Sequence, residues 1–471
     1  MAEADVVVIG GGPAGLMACV GAARAGARVK LLEKGDRLGR KLLISGGGRC
    51  NVTNARGIEH ILDNIPGNAR FLQSVLRQWS NEDIANFFAQ LGVALKEEDR
   101  GRLFPVTDRS DTVLKALVGH IGDLGVEICL QSPVQGLVVT AEEGGKPAES
   151  AHRLPGDLSS IQGTAPGSHP KRVQGVVLAG GRRMEAGAVV VATGGCSVPK
   201  TGSTGDGYRF AEAAGHRIVD VYPTSVPLLA DDWWVRERVL QGVSLYGVLI
   251  TLFSHRGKAL CREEGDVVMT HFGLSGPAAL RVSQYAVREQ LKSGAGALRM
   301  TIALFPEETV EQVSERLQAL ARLHPRRSLR NTLREVTVER LAQLVCGLAG
   351  QDADVEVCNL SRPHWHSVAS QLQGLTMNVT GTLGLEKATV TGGGVNVKEI
   401  DPSTMASRVT HGLYFAGEVM DVHAHTGGYN ITVAFSSGYV SGTAAARSAL
   451  AAAAWAKSPV MHEKERSAWM T

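Results

Sequence analysis

Gly10, Gly12 and Gly15 form a G-x-G-x-x-G run between the apolar stretch 6–9 and the small-residue stretch 16–25, with Pro13 and Ala14 inside it. This spacing suits phosphate chemistry. Gly10 fits a tight turn, Gly12 lets the backbone approach a pyrophosphate, and Gly15 permits close packing of a helix on a sheet. The helix start then offers unpaired N–H groups to the phosphate charge. Glu33 closes the next apolar run, 27–32, followed at once by Lys34. A carboxylate there can accept hydrogen bonds from a ribose diol and disfavours a 2'-phosphate, so a dinucleotide is predicted.

FAD fits the following residues better than NAD. Arg40, Lys41, Ser45, Gly47, Gly48, Arg49, Cys50 and Asn51 place basic side chains and exposed backbone donors soon after Glu33. A simple nicotinamide domain would enter its next βα unit at that point. Lys41 and Arg49 can stabilise phosphates or another bound anion; a solvated basic loop is the alternative. Cys50 has no sequence-local partner for redox chemistry. Thr193, Gly194 and Gly195 follow the apolar run 188–192 as a partial strand-turn, and Val134 heads a strand at 134–140. Both are candidate cofactor contacts.

Near the other end stand Gly417, Glu418, Asp421, Thr426, Gly427, Gly428, Tyr429 and Asn430. Asp421 is a short acceptor suited to a ribityl hydroxyl. The turn 426–428 opens a helix whose N–H groups can face the flavin N1 and C2 carbonyl, where charge gathers on reduction; such donors favour it by about 1 kcal/mol. Imidazoles titrate near neutrality, so His423, His425 and His271 are the candidates for acid or base chemistry. The pairs His364/His366 and His423/His425 lack a third ligand at recognised spacing, and no metal is expected. No G-x-S-x-G nucleophile turn or P-loop lysine motif is present.

These residues need a sheet and helices to position them. The opening reads as β-α-β, and the chain returns to that style in the runs 388–390 and 413–415 and a small-residue helix from 430 to about 451. Both ends therefore read as one cofactor domain. With 471 residues, 44% apolar and 20% charged, two or three domains are available. A formal net charge of +3 offers no broad phosphate-binding surface, so neither nucleic acid nor membrane is expected as a partner. Seven scattered cysteines, with no CxxC, and no leader or apolar span point to a reduced, cytoplasmic protein. The polar segment 142–170 reads as a peripheral insertion.

The blocks at 39–54, 101–105, 202–207, 270–277, 417–421 and 426–430 resemble the YhiN/BaiN-like family of FAD-binding oxidoreductases. The likeness spans residues 5 to about 445. It implies an α/β, Rossmann-like FAD domain built from both chain ends, residues 1–222 and 375–471. It also implies a β-barrel-like substrate module at 223–258 and 296–374, and a helical insertion at 259–295 extending towards 350. By the same resemblance, residues 10–15 and Glu33 would hold the ADP half of FAD, while Lys41, 45–51 and 417–430 would lie along the rest. The family's usual Asp-Val-Asp-Gly stands here as Asp421-Val422-His423-Ala424, exchanging an acid for an imidazole and a glycine for alanine. The expected activity is hydride transfer between flavin N5 and a small organic substrate, with NAD(P)H as a transient donor. An RNA-modifying flavoenzyme and a flavin-binding sensor or scaffold are the alternatives.

Overall fold

The computed structural model describes residues 2–141 and 171–456, so the expected insertion at 142–170 lies outside the described residues. The chain forms two compact units: Met1–Val221 with Gly393–Thr471, and Tyr222–Gly392.

The first unit is built on a sheet whose strand order is Thr410–His411, Lys171–Leu178, Arg183–Val191, Ala4–Ile9, Val29–Leu32, Glu127–Cys129. Val6 pairs in parallel with Val29 on one side and Ala188 on the other. At the centre of the sheet, residues 6–9 and 188–191 are continuous apolar runs buried on both faces. Arg183–Val191 changes partner along its length. Its first residues pair antiparallel with Lys171–Leu178, and its last run parallel to Leu413–Phe415.

The first helix, Pro13–Arg24, and the last, Tyr429–Ala456, cross almost backbone to backbone. A Cβ on Gly438 would stand 2.3 Å from the Ala14 carbonyl oxygen, one on Gly442 2.0 Å from that of Ala18, and one on Gly21 2.3 Å from that of Tyr439. Only glycine permits such an approach.

The second unit contains a closed antiparallel barrel: Leu228–Ala230, Gly273–Ser275, Ala259–Met269, Ser244–Phe253, Leu298–Ala303 and Leu375–Thr382. Alternate residues point inward, Val248, Ile250 and Leu252 among them, and the helix Pro277–Ser293 adds Ala278, Ala279, Val282 and Ala286 to the same core. Residues 259–269, expected to open a helical insertion, are a barrel strand. Its outward positions carry Glu264, Asp266 and Val268, which hide its inward alternation. Helices instead gather at Val310–Leu323, Leu329–Leu333, Glu339–Leu348 and Arg362–Gln373. Thr309 starts the first of these with a capping box, exchanging hydrogen bonds with Gln312.

Among the described residues no helix is long and apolar enough to cross a membrane.

Candidate active site

Each residue of the first glycine turn has its own steric reason. Gly10 has φ 104°, and a Cβ there would press within 2.6 Å of the Ala192 carbonyl oxygen. At Gly15 a Cβ would lie 1.8 Å from the Gly10 carbonyl oxygen. A Cβ on Gly12 would meet nothing within 4 Å, so this residue faces open space at the helix N-cap. Pro13 occupies the first helical turn, which carries no acidic residue, and Ala14 and Gly15 follow it. The helix start therefore presents backbone donors and positive dipole to that space, with no acid in the helix's own first turn.

Glu33 closes the turn from the neighbouring strand. Its Oε2 accepts from the Gly11 N–H at 2.8 Å and its Oε1 from the Gly35 N–H at 2.7 Å. Both oxygens are thus fixed beside the loop, each with a further lone pair for a ribose hydroxyl. These residues fit the ADP half of a dinucleotide.

Four of the five basic residues at 34–49 have carboxylate partners, exposed Arg37 being the other. Lys34 meets Asp206 and the Thr204 hydroxyl at 2.5 Å each. Arg40 pairs with Asp36. Lys41 bonds Glu418 and Ser197, both at 2.7 Å, and Ser197 donates to the other Glu418 oxygen at 2.9 Å. Arg49 engages Glu98 at 2.8 Å and lies over the Phe104 ring. The positive charge expected for phosphates is committed to acids, which leaves anion binding to the backbone.

Ser45, Gly47 and Gly48 lie in a short turn, with Gly46, Gly47 and Gly48 at positive φ. Cys50 follows at φ 61°, fully buried, and burial pushes its thiol up to about 12 although the Ser45 hydrogen bond opposes the shift. Asn51 is buried; with its amide turned to match its neighbours it donates to the Thr53 carbonyl and accepts from the Gly428 N–H, both at 2.9 Å. This joins the early turn to the late block. Thr53 Oγ1 and Thr432 Oγ1 add a buried contact at 2.7 Å, and Asn54 donates to the Gly427 carbonyl at 3.0 Å.

Thr193, Gly194 and Gly195 leave the sheet beside the helix Asp206–Ala213. Thr193 Oγ1 and the Tyr208 hydroxyl are buried without a hydrogen-bond partner among the described residues. Such orphans cost about 1–3 kcal/mol each, a cost a polar ligand or water can remove. Burial also pushes the Tyr208 phenol upward, followed by the nearby Glu418 charge. Val134 starts its strand opposite Leu178.

The late block is held by a segment that sequence reasoning missed. Gly417, at φ 72°, accepts no side chain because a Cβ would press on Ala14, and its N–H donates to Ser437 Oγ at 3.0 Å. Asn68 donates to the Asp421 carbonyl at 2.6 Å and carboxylate at 3.0 Å. The Gly67 N–H donates to the His423 carbonyl, and the His423 ring occupies the place of a Gly67 Cβ. The His425 N–H donates to the Asn64 carbonyl at 2.9 Å, while its Nδ1 lies 3.2 Å from Asn64 Oδ1. His60 Nε2 is 3.1 Å from the Tyr429 hydroxyl.

Both His423 and His425 are buried, as is Tyr429, whereas His60 is exposed. Asn430 closes the turn with bonds to Ala424 and His425 backbone. Ala424 is not among the residues at positive φ, so the lost family glycine leaves no strain there. Thr426, Gly427 and Gly428 lead into the last helix as its start requires. His271 belongs to the other unit, exposed and edge-on to Phe272.

A Ser–His–carboxylate arrangement also occurs, at Ser407, His216 and Glu399, yet it is no hydrolase centre. Ser407 Oγ accepts from the Val409 and Thr410 N–H groups, which leaves its hydrogen for His216 Nε2 at 2.7 Å. Ser407 and His216 are buried, and half-buried Glu399 also pairs with Arg217, so all three are committed to structure.

Ribosomal RNA dihydrouridine synthase of Escherichia coli (strain K12) is 32% identical over 449 residues, covering 93% of this chain and 97% of the relative. The protein of the same description from Haemophilus influenzae is 29% identical, covering 92% and 96%. A 3-dehydro-bile acid delta(4,6)-reductase of Clostridium scindens is 27% identical, covering 93% and 98%. The model described as HI0933-like protein Rossmann domain matches residues 4–153 and 164–444, and the chain belongs to this family of FAD-binding oxidoreductases.

Proposed function

We propose that the chain is an FAD-dependent reductase of a carbon–carbon double bond conjugated to a carbonyl, acting on uracil in ribosomal RNA. The observation that carries this reading is the match to two ribosomal RNA dihydrouridine synthases across more than nine-tenths of each chain. Dihydrouridine is uridine with its ring double bond, conjugated to a carbonyl, reduced. The bile acid reductase acts on a related unsaturated ketone system, so the three relatives share a bond type.

When bound, FAD would supply the hydride, with NAD(P)H as the reductant that replenishes it. The chain's residues do the rest. Gly12, the first helix start and Glu33 would hold the ADP half, while Asp421 and the start of the last helix would hold the ribityl chain and flavin. The second carbon of the double bond needs a proton. Tyr429 can give one from its hydroxyl and regain it through exposed His60. His425, oriented by Asn64, and His423 are further candidates within this block, and His271 is one from the other unit.

The test uses the purified holoprotein, reduced anaerobically with NADPH or NADH. Deproteinised ribosomal RNA from cells lacking the modification should reoxidise the flavin and gain dihydrouridine, read by mass spectrometry of nucleosides. Reoxidation only by a 3-dehydro bile acid diene would move the activity to steroid-like ketones. No reoxidation by either would sink the proposal.

A further inference from the structure

We propose that the turn between the helices Val310–Leu323 and Leu329–Leu333 is a landing surface for RNA backbone phosphates; this rests on the ribosomal RNA reading above. Residues 322–334 hold Arg322, Arg326, Arg327, Arg330, Arg334 and His324 without one acidic residue, in a chain whose total charge is only +3. Two of these arginines are engaged. Arg327 pairs with Glu335 at 2.7 Å and Arg330 with Asp354 at 2.8 Å. Arg322, Arg326 and Arg334 are exposed, and no ion pair or side-chain hydrogen bond engages them among the described residues. Asp352 and Glu356 lie on the segment bonded to this turn, Glu339 follows it in sequence, and exposed Arg362 adds a further positive charge.

The arginines stand on a fixed backbone. Pro325 and Arg327 carbonyls accept from Cys358 and Val357 N–H groups, while Leu329 and Arg330 N–H groups donate to Val355 and Ala353, all at 2.9–3.0 Å. Guanidinium groups on such a base match phosphate oxygens as planar forks and lose little backbone freedom on binding. No Phe, Tyr or Trp lies in 322–334, so beyond His324 and the guanidinium planes the surface offers bases little to stack on. Its contribution is affinity and orientation of the RNA chain, with base selection left to the reaction site.

The experiment compares full-length wild type, R322A/R326A/R334A, and the control R37A/R70A/R77A, which removes three exposed arginines of the other unit. Binding to deproteinised ribosomal RNA is titrated over a range of salt concentrations, with flavin content and melting temperature reporting folding. The first variant should lose about tenfold or more in affinity at low salt, and its salt slope should fall by about two. The control should keep the wild-type slope. If the alanine variant folds poorly, R322K/R326K/R334K serves instead: it should retain the slope, and a wild-type slope in a well-folded R322Q/R326Q/R334Q would overturn the surface. Equal losses in both alanine triples, or no loss in the first, would also remove this surface while leaving RNA reduction intact. Wild type that binds phosphatidylglycerol vesicles but no RNA would overturn the surface and the RNA reading together.

Discussion

The basic residues at 34–49 and the arginines at 322–334 look alike in sequence and differ in what their charge is free to do. Lys34, Arg40, Lys41 and Arg49 each meet a carboxylate, while Arg322, Arg326 and Arg334 meet none among the described residues. The early cations hold a loop in place, which leaves backbone N–H groups and the helix dipole as the donors an anion there would meet. The later ones stay available to an outside anion. Charge near a cofactor turn is therefore weak evidence of a phosphate ligand until its partners are known.

The largest expected effect tests the backbone's role. Gly15→Ala forces a Cβ against the Gly10 carbonyl, so it should destabilise the protein by about 3 kcal/mol or more and abolish flavin uptake. Gly12→Ala has open space, so its melting temperature should stay near wild type while FAD affinity falls about tenfold. Thermal unfolding of the apoprotein with FAD titration separates the two; equal melting temperatures would remove the steric distinction.

Next in size is Glu33→Ala, which leaves the Gly11 and Gly35 N–H groups without their acceptor and should weaken FAD about 10- to 100-fold. Lys41→Met should be milder for FAD, about threefold, but should lower stability because Glu418 loses its counter-charge. Adding Glu418→Gln should recover part of that loss, with a coupling of about 1–2 kcal/mol in a double-mutant cycle. A hundredfold loss of FAD affinity in Lys41→Met would show a direct phosphate contact and break the comparison.

Cys50 provides the test most specific to one group, with the smallest expected effect at neutral pH. Free basic neighbours would lower a thiol, yet burial raises this one to about 12. A raised folded value means the stabilisation of the neutral thiol is complete below the unfolded value near 9 and is lost as pH rises from there towards 12. Wild type should lose stability across that window more steeply than Cys50→Ala, by up to about 1.4 kcal/mol per pH unit. Parallel denaturation curves would contradict the burial effect.

The first cofactor turn was legible because its signals are local: three glycines, a strand before, a helix after, and an acid ending the next strand. The last helix and the strand at 413–415 were legible for the same reason. His60, Asn64 and Asn68 were not, since their partners lie more than 350 positions away and nothing in their spacing announces a turn to be held. The resemblance implies a helical insertion at 259–295, but Ala259–Met269 is a barrel strand whose charged outward residues conceal its inward alternation. The total of +3 weighs against a nucleic-acid partner, yet a sum over the chain averages away a local run of arginines such as that at 322–334.

The glycine crossing of the first and last helices also bears on biosynthesis. At about 5–20 residues per second, the segment carrying Ala14 emerges roughly 20–80 s before Gly438 and Gly442 exist to cover it. The barrel unit, contiguous from Tyr222 to Gly392, has all its strands in hand earlier. Vectorial synthesis thus imposes an order in which the nascent nucleotide turn waits half-assembled, its apolar helix exposed to chaperones, until the final stretch arrives.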